Sequence, residues 1–389
     1  MTNNVGYSWG LPSLVLYGAG CVSRVGEELK RLGGTRPLLV TDCVLLKSGQ
    51  VDELKSLLTK AGLHAELYSG VNREPEDKFV EEGLEIFKAS SCDSVIALGG
   101  GSCIDAAKGI GIMATNPGKL ADYEGRDKLK AKMAPLVAIA TTAGTASEIS
   151  RVTVITDTRR TVKMLIKDEK VRPNIAVCDP LLTVSMPPAV TASSGMDALT
   201  HAIEGYVSRE CQPLTEMVAL RAVELISRSL LVAWANGKDI EARTDMMLGQ
   251  LLAGMSFSNA STCSVHGLAR PLGAHFHVPH GLSNAMFIVE GMEYTLPACP
   301  QKYAKIAQAM GENICGLTVY EAAEKSVAFV RRLRKALKVP TILEFGIDRD
   351  KYLQLAPQLA EDGLASGSHN LNPRTPSKEE LIAIYKQMV

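Results

Sequence analysis

Two kinds of sequence pattern divide this 389-residue chain, and the change between them strongly constrains the fold. From about residue 25 to residue 140, short apolar runs alternate with stretches of helical periodicity. This alternation predicts a parallel sheet covered by helices on both faces. After Met186-Pro-Pro188 the pattern is helical almost throughout. We therefore expect an α/β domain over residues 1–185 and an all-α domain over residues 186–389, since the chain is too long for one simple core.

The predicted elements of the two halves differ in kind. Strands are expected at residues 37–41, 65–68, 94–98 and 136–140, with further strands at 152–155 and 175–178. Helices are expected between them at residues 25–32, 51–61 and 79–89. In the second half, Thr215 is predicted to cap a helix to Leu231, and Asp245 to begin one that ends near Met255. Thr318 and the capping box Ser377-Lys-Glu-Glu380 predict two later helix starts.

Composition excludes several classes of function. Lys plus Arg and Asp plus Glu each number 42, so no charge excess points to nucleic acid or an anionic membrane. The nine cysteines are scattered without a C-x-x-C pair, which is typical of free thiols in a reducing compartment. The sequence shows no leader pattern and no apolar run of membrane-spanning length. We expect a cytoplasmic protein that binds a small molecule.

A carboxylate and a group of histidines form the candidate metal site. Asp197 and His201 are four residues apart, a spacing that places two side chains on one face of a helix. Four of the seven histidines fall in one fifteen-residue window: His266, His275, His277 and His280. One carboxylate with two or three imidazoles suits Zn²⁺, Fe²⁺ or another first-row ion better than Ca²⁺ or Mg²⁺. The alternative is an exposed helical pair, with the later histidines lining a loop.

Two loops that follow predicted strands are candidates for binding a nucleotide. Gly99-Gly-Gly-Ser-Cys-Ile-Asp-Ala-Ala-Lys108 combines glycines with a helix N-terminus, a combination that binds phosphate, although a tight structural turn explains it equally well. Ala140-Thr-Thr-Ala-Gly-Thr-Ala-Ser-Glu148 follows another strand. Two such loops at the carboxyl ends of parallel strands would border one crevice. Gly18-Ala-Gly20 lacks a third glycine and is interpreted as a structural turn.

Asp42 follows the strand at residues 37–41 and bears on the choice of cofactor. A carboxylate there could accept hydrogen bonds from an adenosine ribose and would repel a 2′-phosphate, which favours NAD over NADP. The alternative is a plain helix cap.

Seven motifs are spread over the whole chain: Gly99-Gly-Gly-Ser102, Thr141-Thr-Ala-Gly-Thr-Ala-Ser-Glu148, Asp179-Pro-Leu-Leu-Thr183, Gly195-Met-Asp-Ala-Leu-Thr-His201, His266-Gly-Leu-Ala-Arg-Pro-Leu-Gly273, Pro279-His-Gly-Leu-Ser-Asn284 and Asn372-Pro-Arg374. In this order they resemble the motifs of the iron-dependent (group III) alcohol dehydrogenase family. The resemblance implies a Rossmann-like N-terminal domain and an all-α C-terminal domain, with the cofactor and metal meeting in the cleft between them. It also implies a homo-oligomer, such as a dimer.

The resemblance further implies NAD as cofactor and Fe²⁺ as metal, with Zn²⁺ or another divalent ion as a substitute. The implied metal ligands are Asp197, His201, His266 and His280. The implied dinucleotide-binding residues are Asp42, Asn72, Gly99, Gly100, Gly101, Ser102, Asp105, Thr141, Thr142, Thr145, Lys163 and Leu182.

The chain departs from the family pattern at Arg270, where better-known members carry a histidine drawn as a proton relay. A guanidinium stays protonated and is a poor proton shuttle. Either His277 serves that role, or the proton leaves through a cofactor hydroxyl and water. Arg270 itself is either a neutral replacement or an anion clamp that faces the substrate.

These expectations together predict a metal-dependent NAD(H) alcohol dehydrogenase or aldehyde reductase. Its substrate would be a small primary alcohol or aldehyde, and an anionic one, such as a semialdehyde or sulfoacetaldehyde, if Arg270 is a clamp. Two alternatives stay open: a lyase of the dehydroquinate synthase type, which uses NAD only transiently, and a metal hydrolase.

Overall fold

The computed structural model describes residues 6–160 and 162–389, so residues 1–5 and Thr161 of the expected α/β domain lie outside the described residues. Two compact units make up the chain. One comprises Gly10–Ser185, and the other comprises Met186–Val389 together with the described residues 6–9. The described residues 6–9 thus belong with the second unit rather than with the α/β unit that follows them in sequence.

The α/β unit contains nine strands among the described residues. They are β1 (Leu14–Tyr17), β2 (Pro37–Val40), β3 (Glu66–Tyr68), β4 (Ser94–Gly99), β5 (Gly125–Arg126), β6 (Leu136–Ala140), β7 (Val152–Asp157), β8 (Val162–Lys167) and β9 (Ile175–Cys178). Six of them form one sheet in the order β1-β9-β6-β4-β2-β3, and every pair in it is parallel.

Five α-helices accompany these strands. They are α1 (Val25–Arg31), α2 (Cys43–Ser48), α3 (Gln50–Lys60), α4 (Asp77–Ala89) and α5 (Gly101–Thr115). Short 3₁₀ segments lie at Cys21–Arg24, Leu120–Tyr123, Glu169–Val171 and Pro180–Thr183. This strand–helix alternation confirms the predicted α/β class and the Rossmann-like character that the resemblance implied.

The parallel sheet is buried on both faces because its strands are apolar at successive positions. In β4, Val95 and Ala97 pack into one apolar cluster, whereas Ile96 and Leu98 pack into the other. Alternation of side chains across a strand explains this division. All six residues of β4 are buried, as expected for a central parallel strand.

The second sheet departs from the prediction. β7 covers the strand predicted at 152–155, but it pairs antiparallel with β8 and belongs to a separate sheet of order β5-β8-β7. Residues of β7 alternate between buried and half-buried, the pattern of a sheet with one solvated face. Strands β5 and β8 and the edge strand β1 were not expected from the sequence.

The second unit is helical throughout its described part. Its α-helices are α6 (Pro188–Val207), α7 (Pro213–Ala235), α8 (Ile240–Asn259), α9 (Ser264–Phe276), α10 (His280–Thr295), α11 (Pro300–Ala309), α12 (Val319–Ala336), α13 (Arg349–Ala365) and α14 (Lys378–Gln387), with 3₁₀ segments at Leu296–Ala298 and Ser368–Leu371. Helix α6 packs against α7, α8 and α10, and every residue from Met196 to Val207 is buried. The middle of α6 therefore lies in the core of this unit.

Two predicted helix starts are confirmed and two are wrong. Thr318 caps α12 and Ser377 caps α14, each through a capping box. Helix α7, however, begins at Pro213, and Thr215 accepts a hydrogen bond from the backbone N–H of Gln212 as the third helical residue. Helix α8 begins after Asp239, not at Asp245, because the Asp239 carboxylate accepts from the backbone N–H of Ala242.

The packing of α8 on α7 explains why Asp245 does not begin α8. The Asp245 carboxylate accepts hydrogen bonds from Arg228 and Ser229 of α7. It is therefore satisfied in mid-helix by a neighbouring helix rather than by its own backbone. Among the described residues, no helix is both long and apolar enough to cross a membrane.

Candidate metal centre and dinucleotide loops

Helix α6 presents three ionisable side chains on one buried face. Asp197, His201 and Glu204 follow the spacing i, i+4 and i+7, which aligns side chains along a helix. Their exposed fractions are only 0%, 3% and 2%. The alternative of an exposed helical pair is therefore wrong, and these groups need partners inside the protein.

Helices α9 and α10 supply two more imidazoles to the same place. His266 lies near the start of α9, and His280 is the first residue of α10. The candidate ligand atoms of Asp197, His201, His266 and His280 all lie within 4.8 Å of one another. Three of the four residues are buried, while the His280 side chain is 32% exposed, so the cluster is accessible from the His280 side.

A glycine allows α10 to approach α6 at this point. A Cβ built on Gly281 would lie 2.9 Å from the backbone oxygen of Ser193 and 3.3 Å from the Cβ of Asp197. Any larger residue would push His280 away from Asp197, so this glycine helps to bring the cluster together.

The cluster holds polar atoms that lack a protein partner. Oδ2 of Asp197 and Nδ1 of His201 are buried and form no hydrogen bond with the described residues. The Asn284 amide nitrogen lies 2.7 Å from Oδ1 of Asp197, 3.1 Å from Nε2 of His266 and 3.2 Å from Nε2 of His280. Converging acceptor atoms and an unpaired buried carboxylate oxygen fit a cation bound among them.

Burial shifts the pKa of His266, in the cluster, and of Glu204, which lies behind it. Desolvation, with His201 and Arg270 nearby, holds the pKa of His266 well below its usual value, so its imidazole is neutral, as a metal ligand must be. Desolvation raises the pKa of Glu204 to about 7, although backbone N–H groups around it act in the opposite direction. Glu204 lies 2.6 Å from Nδ1 of His266.

The other two histidines of the window lie outside the cluster. His275 contacts the Asp362 carboxylate at 2.6 Å. His277 is exposed and ends α9 in a left-handed conformation, with φ of 55°. Glu204 and Asn284 were not singled out in the sequence, although Asn284 ends the quoted motif Pro279–Asn284 and Glu204 follows the motif Gly195–His201. The i+7 spacing of Glu204 from Asp197 was the signal that could have found it.

In the α/β unit, the two predicted loops meet at one edge of the sheet. Strands β2, β4 and β6 are neighbours and parallel, so Asp42, residues 99–102 and residues 141–145 all follow carboxyl ends at that edge. A Cβ built on Gly101 would lie 2.9 Å from the Thr145 side chain. Glycine is thus required where the loops touch, at the edge where open α/β sheets bind ligands.

Asp42 caps helix α2. Its Oδ1 accepts hydrogen bonds from the backbone N–H groups of Val44 at 2.7 Å and Leu45 at 2.8 Å. Its Oδ2 lies 3.6 Å from the Cys103 sulfur. The helix-cap interpretation is therefore confirmed, and the cap holds the carboxylate in a fixed orientation at the sheet edge.

The remaining expected dinucleotide residues have varied surroundings. Asn72 is exposed in the segment after β3. Lys163 pairs with Glu74 at 2.9 Å, and the backbone carbonyl of Leu182 accepts a hydrogen bond from Gln50. Asp105 accepts hydrogen bonds from the Ser147 hydroxyl and the backbone N–H of Val154. The side chain of Asp105 thus ties α5 to the second loop and to β7.

Lys108 also ties α5 to the second loop and to β7. It was not expected to be a site residue from the sequence. Its fully buried ammonium donates to Ser147, to both oxygens of Ser150 and to the backbone carbonyl of Val152, at 2.7–3.1 Å. Burial lowers its pKa to about 8, while Asp105 and Glu148 act to raise it. This lysine fixes the segment between β6 and β7 against α5.

Arg270 lies one helical turn after His266 and has an unusual environment for a guanidinium. Its Nη1 donates to the Ser368 hydroxyl at 2.8 Å. Among the described residues, none places a carboxylate oxygen within ion-pair distance of it. Desolvation lowers its pKa, with the Glu204 charge acting in the opposite direction. A half-buried cation without a paired carboxylate can accept an anionic group.

These features define a protein with a candidate metal centre in its helical unit and candidate dinucleotide loops in its α/β unit, and comparison with known proteins identifies its family. The family model described as "Iron-containing alcohol dehydrogenase" matches residues 12–180. The one described as "Fe-containing alcohol dehydrogenase family, C-terminal" matches residues 191–389. The chain therefore belongs to the iron-containing alcohol dehydrogenase family and is an oxidoreductase.

Individual relatives cover nearly the whole chain. It is 41% identical over 380 residues to 1,3-propanediol dehydrogenase of Klebsiella pneumoniae, covering 97% of each chain. It is 37% identical over 377 residues to NAD-dependent methanol dehydrogenase of Bacillus methanolicus, covering 97% of this chain and 98% of that protein.

Solved structures show the same fold. A 1,3-propanediol oxidoreductase matches with a TM-score of 0.96 at 40% identity, covering 99% of this chain and 100% of its own. Sulfoacetaldehyde reductase of Bifidobacterium kashiwanohense in complex with NAD⁺ matches with a TM-score of 0.88 at 25% identity, covering 99% of both chains.

Proposed function

We propose that the protein is a metal-dependent NAD(H) alcohol dehydrogenase that also reduces the corresponding aldehyde. The observation that carries the proposal is the buried cluster of one carboxylate and three imidazoles, in which an oxygen of Asp197 has no protein partner. In this proposal, residues 10–185 form the dinucleotide-binding domain and residues 186–389 the metal and substrate domain.

The metal in this proposal is Fe²⁺, with Zn²⁺ or another divalent ion as a substitute. Three imidazole nitrogens and a carboxylate oxygen suit a first-row ion. Asp197 supplies the negative charge, whereas a neutral His266 can donate its nitrogen lone pair. None of the nine cysteines, all of which are free thiols, belongs to the cluster, which argues against a closed structural zinc site.

The dinucleotide in this proposal is NAD. The loops at residues 99–102 and 141–145 lie at the carboxyl edge of the sheet, and Asp42 is held beside them. Two similar proteins support the assignment, since one is named as NAD-dependent and another was solved with NAD⁺. Asp42, Asn72, Thr141, Thr142 and Lys163 would contact it.

When bound, the metal ion would supply Lewis-acid polarisation of the substrate oxygen and NAD would supply hydride transfer at its nicotinamide. The chain's own residues prepare that reaction. Asp197, His201, His266 and His280 would hold the metal in a largely buried position, where electrostatic stabilisation is strong. His277, which is exposed at the end of α9, would carry the proton to solvent. The alternative is a route through the bound cofactor and water that does not use His277.

The substrate in this proposal is a short aldehyde that carries a carboxylate or a sulfonate. Arg270 supports this choice because its guanidinium is one turn from His266 and lacks a paired carboxylate among the described residues. A similar protein is named as a sulfoacetaldehyde reductase. A charge-assisted hydrogen bond to such a substrate would contribute about 1.5–3 kcal/mol.

Assembly and location complete the proposal. We place the enzyme in the cytoplasm, because all nine cysteines are free thiols. We expect a homodimer, which light scattering of the purified protein would test. A tetramer or a monomer would contradict this part of the proposal alone.

The test is an anaerobic assay of the Fe²⁺-loaded enzyme with NADH and a panel of short aldehydes. The panel pairs succinic semialdehyde and sulfoacetaldehyde with neutral propionaldehyde. We expect steady oxidation of NADH that stops when the metal is chelated and returns when Fe²⁺ is restored. Turnover without net NADH oxidation would instead indicate a lyase, and turnover without any dinucleotide would indicate a hydrolase.

A further inference from the structure

Glu204 lies directly behind the candidate metal cluster, and each of its two carboxyl oxygens makes a short hydrogen-bond contact. Its Oε1 is 2.6 Å from the backbone nitrogen of Val265. Its Oε2 is 2.6 Å from Nδ1 of His266. The side chain is only 3% exposed, so water cannot easily replace either partner.

The two contacts fix where the proton of His266 lies. A backbone N–H can only donate, so Oε1 must act as an acceptor. When Glu204 is ionised, Oε2 has no proton to donate, so it accepts from Nδ1–H of His266. A neutral imidazole protonated on Nδ1 has its lone pair on Nε2. That nitrogen faces the cluster, 3.0 Å from Nε2 of His201 and 3.1 Å from the Asn284 amide nitrogen.

We propose that Glu204 is a positioning residue that holds His266 in the Nδ1–H tautomer, leaving Nε2 free to bind the metal. The inference rests on the metal site of the proposed function. His201 provides a contrast, since its Nδ1 has no hydrogen-bond partner among the described residues. Carboxylates behind metal-binding histidines act in this way in other proteins.

Glutamine at this position separates the proposed role from simple space filling. Glu204→Gln keeps the shape of the side chain but provides one acceptor where two are needed. If the amide oxygen accepts from Val265, the amide NH₂ group faces Nδ1 of His266. Nδ1 must then become the acceptor, and the proton moves to Nε2, where it blocks metal binding.

The first experiment compares Zn²⁺ affinity of the metal-free wild type and Glu204→Gln by competition with a chelating dye. We expect the variant to bind Zn²⁺ roughly 10–100-fold more weakly. Thr200→Val is the matched control, since Thr200 is fully buried on α6 and its hydroxyl bonds only within the helix, to the backbone oxygen of Met196. It should bind Zn²⁺ like the wild type.

The second experiment observes the tautomer directly. In metal-free protein labelled with ¹⁵N-histidine, we expect His266 to be protonated on Nδ1 in the wild type and on Nε2 in Glu204→Gln. A folded Glu204→Gln protein with wild-type Zn²⁺ affinity would overturn the proposal. So would a wild-type His266 protonated on Nε2, a result that needs no variant to fold.

The two proposals can fail separately. If the wild type itself binds neither Zn²⁺ nor Fe²⁺, the proposed metal site fails. If the wild type binds metal and Glu204→Gln binds it equally well, only the role of Glu204 fails.

Discussion

Replacing Asp197 with asparagine should have opposite effects on the stability of the metal-free protein and on that of the metal-bound protein. Asp197 is the only carboxylate among the four candidate ligands, and it is fully buried. Without a cation, its charge is desolvated and Oδ2 has no partner among the described residues. Asp197→Asn removes that charge and can still accept the hydrogen bond that Asn284 donates to Oδ1. We therefore expect the metal-free variant to be at least as stable as the metal-free wild type.

The metal-bound proteins should behave in the opposite way. A ligand present at 100 times its dissociation constant stabilises a protein by about 2.7 kcal/mol. For a domain of about 150–250 residues, each kcal/mol raises the melting temperature by about 2–4 °C. Saturating metal should thus raise the melting temperature of the helical unit by about 5–11 °C in the wild type. The rise should be nearly absent in Asp197→Asn, which lacks the only anionic ligand.

Differential scanning calorimetry with and without Zn²⁺ measures both effects. Asp245→Asn is the matched control, because its carboxylate contacts Arg228 and Ser229 on another helix and takes no part in the cluster. We expect this control to lose some stability but to keep the full metal-induced rise. An equal metal-induced rise in Asp197→Asn and the wild type would refute the assignment of Asp197 as a ligand.

Three further predictions address the cofactor, the substrate and the dependence of stability on pH. Asp42→Gly should narrow the preference for NADH over NADPH, because it removes a carboxylate that would repel the 2′-phosphate of NADPH. Like charges about 4 Å apart repel by roughly 1–4 kcal/mol. Equal kcat/KM with both cofactors in the wild type would contradict this prediction. Arg270→Leu should lower kcat/KM for an anionic aldehyde roughly ten- to a hundredfold and spare propionaldehyde, whereas a uniform loss would assign Arg270 to the scaffold. Burial lowers the pKa of His369 to about 4. The pKa of a histidine in the unfolded chain is near 6.5, so between about pH 6.5 and pH 4 the imidazole of His369 is protonated only in the unfolded chain. The free energy of unfolding therefore falls by up to about 3 kcal/mol as the pH is lowered through this range. His369→Gln should remove that part of the acid-induced loss in urea unfolding at pH 7 and pH 4.5; an unchanged loss would show that other groups cause it.

Local features of the chain were predictable because they depend on residues close together in sequence. The strand–helix alternation of the first half predicted the parallel sheet, since each apolar run is long enough for one buried strand. Thr318 and Ser377 cap the helices that follow them because each capping box closes within four residues. Asp197 and His201 share a helix face for the same local reason.

Tertiary contacts decided which residues act together. Within one short window, His266 and His280 reach α6 because α9 ends at Phe276 and α10 begins at His280, whereas His275 contacts Asp362 on α13. The start of α8 was mispredicted because Asp245 has partners on α7 that the local pattern does not reveal. The error at α7 is different in kind, since the contact of Thr215 with Gln212 is local.

The environment of each charged group likewise required the folded chain. Glu204 and His266 are 62 residues apart, and Arg270 and Ser368 are 98 apart, so neither contact follows from a helical or strand period. Burial then affects the protonation of each ionisable side chain, because desolvation shifts its pKa and raises the free-energy cost of an unpaired charge. The sequence by itself determined which residue types were present and which lay on one helix face. Only the tertiary structure decided that three helices bring one carboxylate and three imidazoles together out of water, because contacts between helices distant in sequence depend on packing and not on local period.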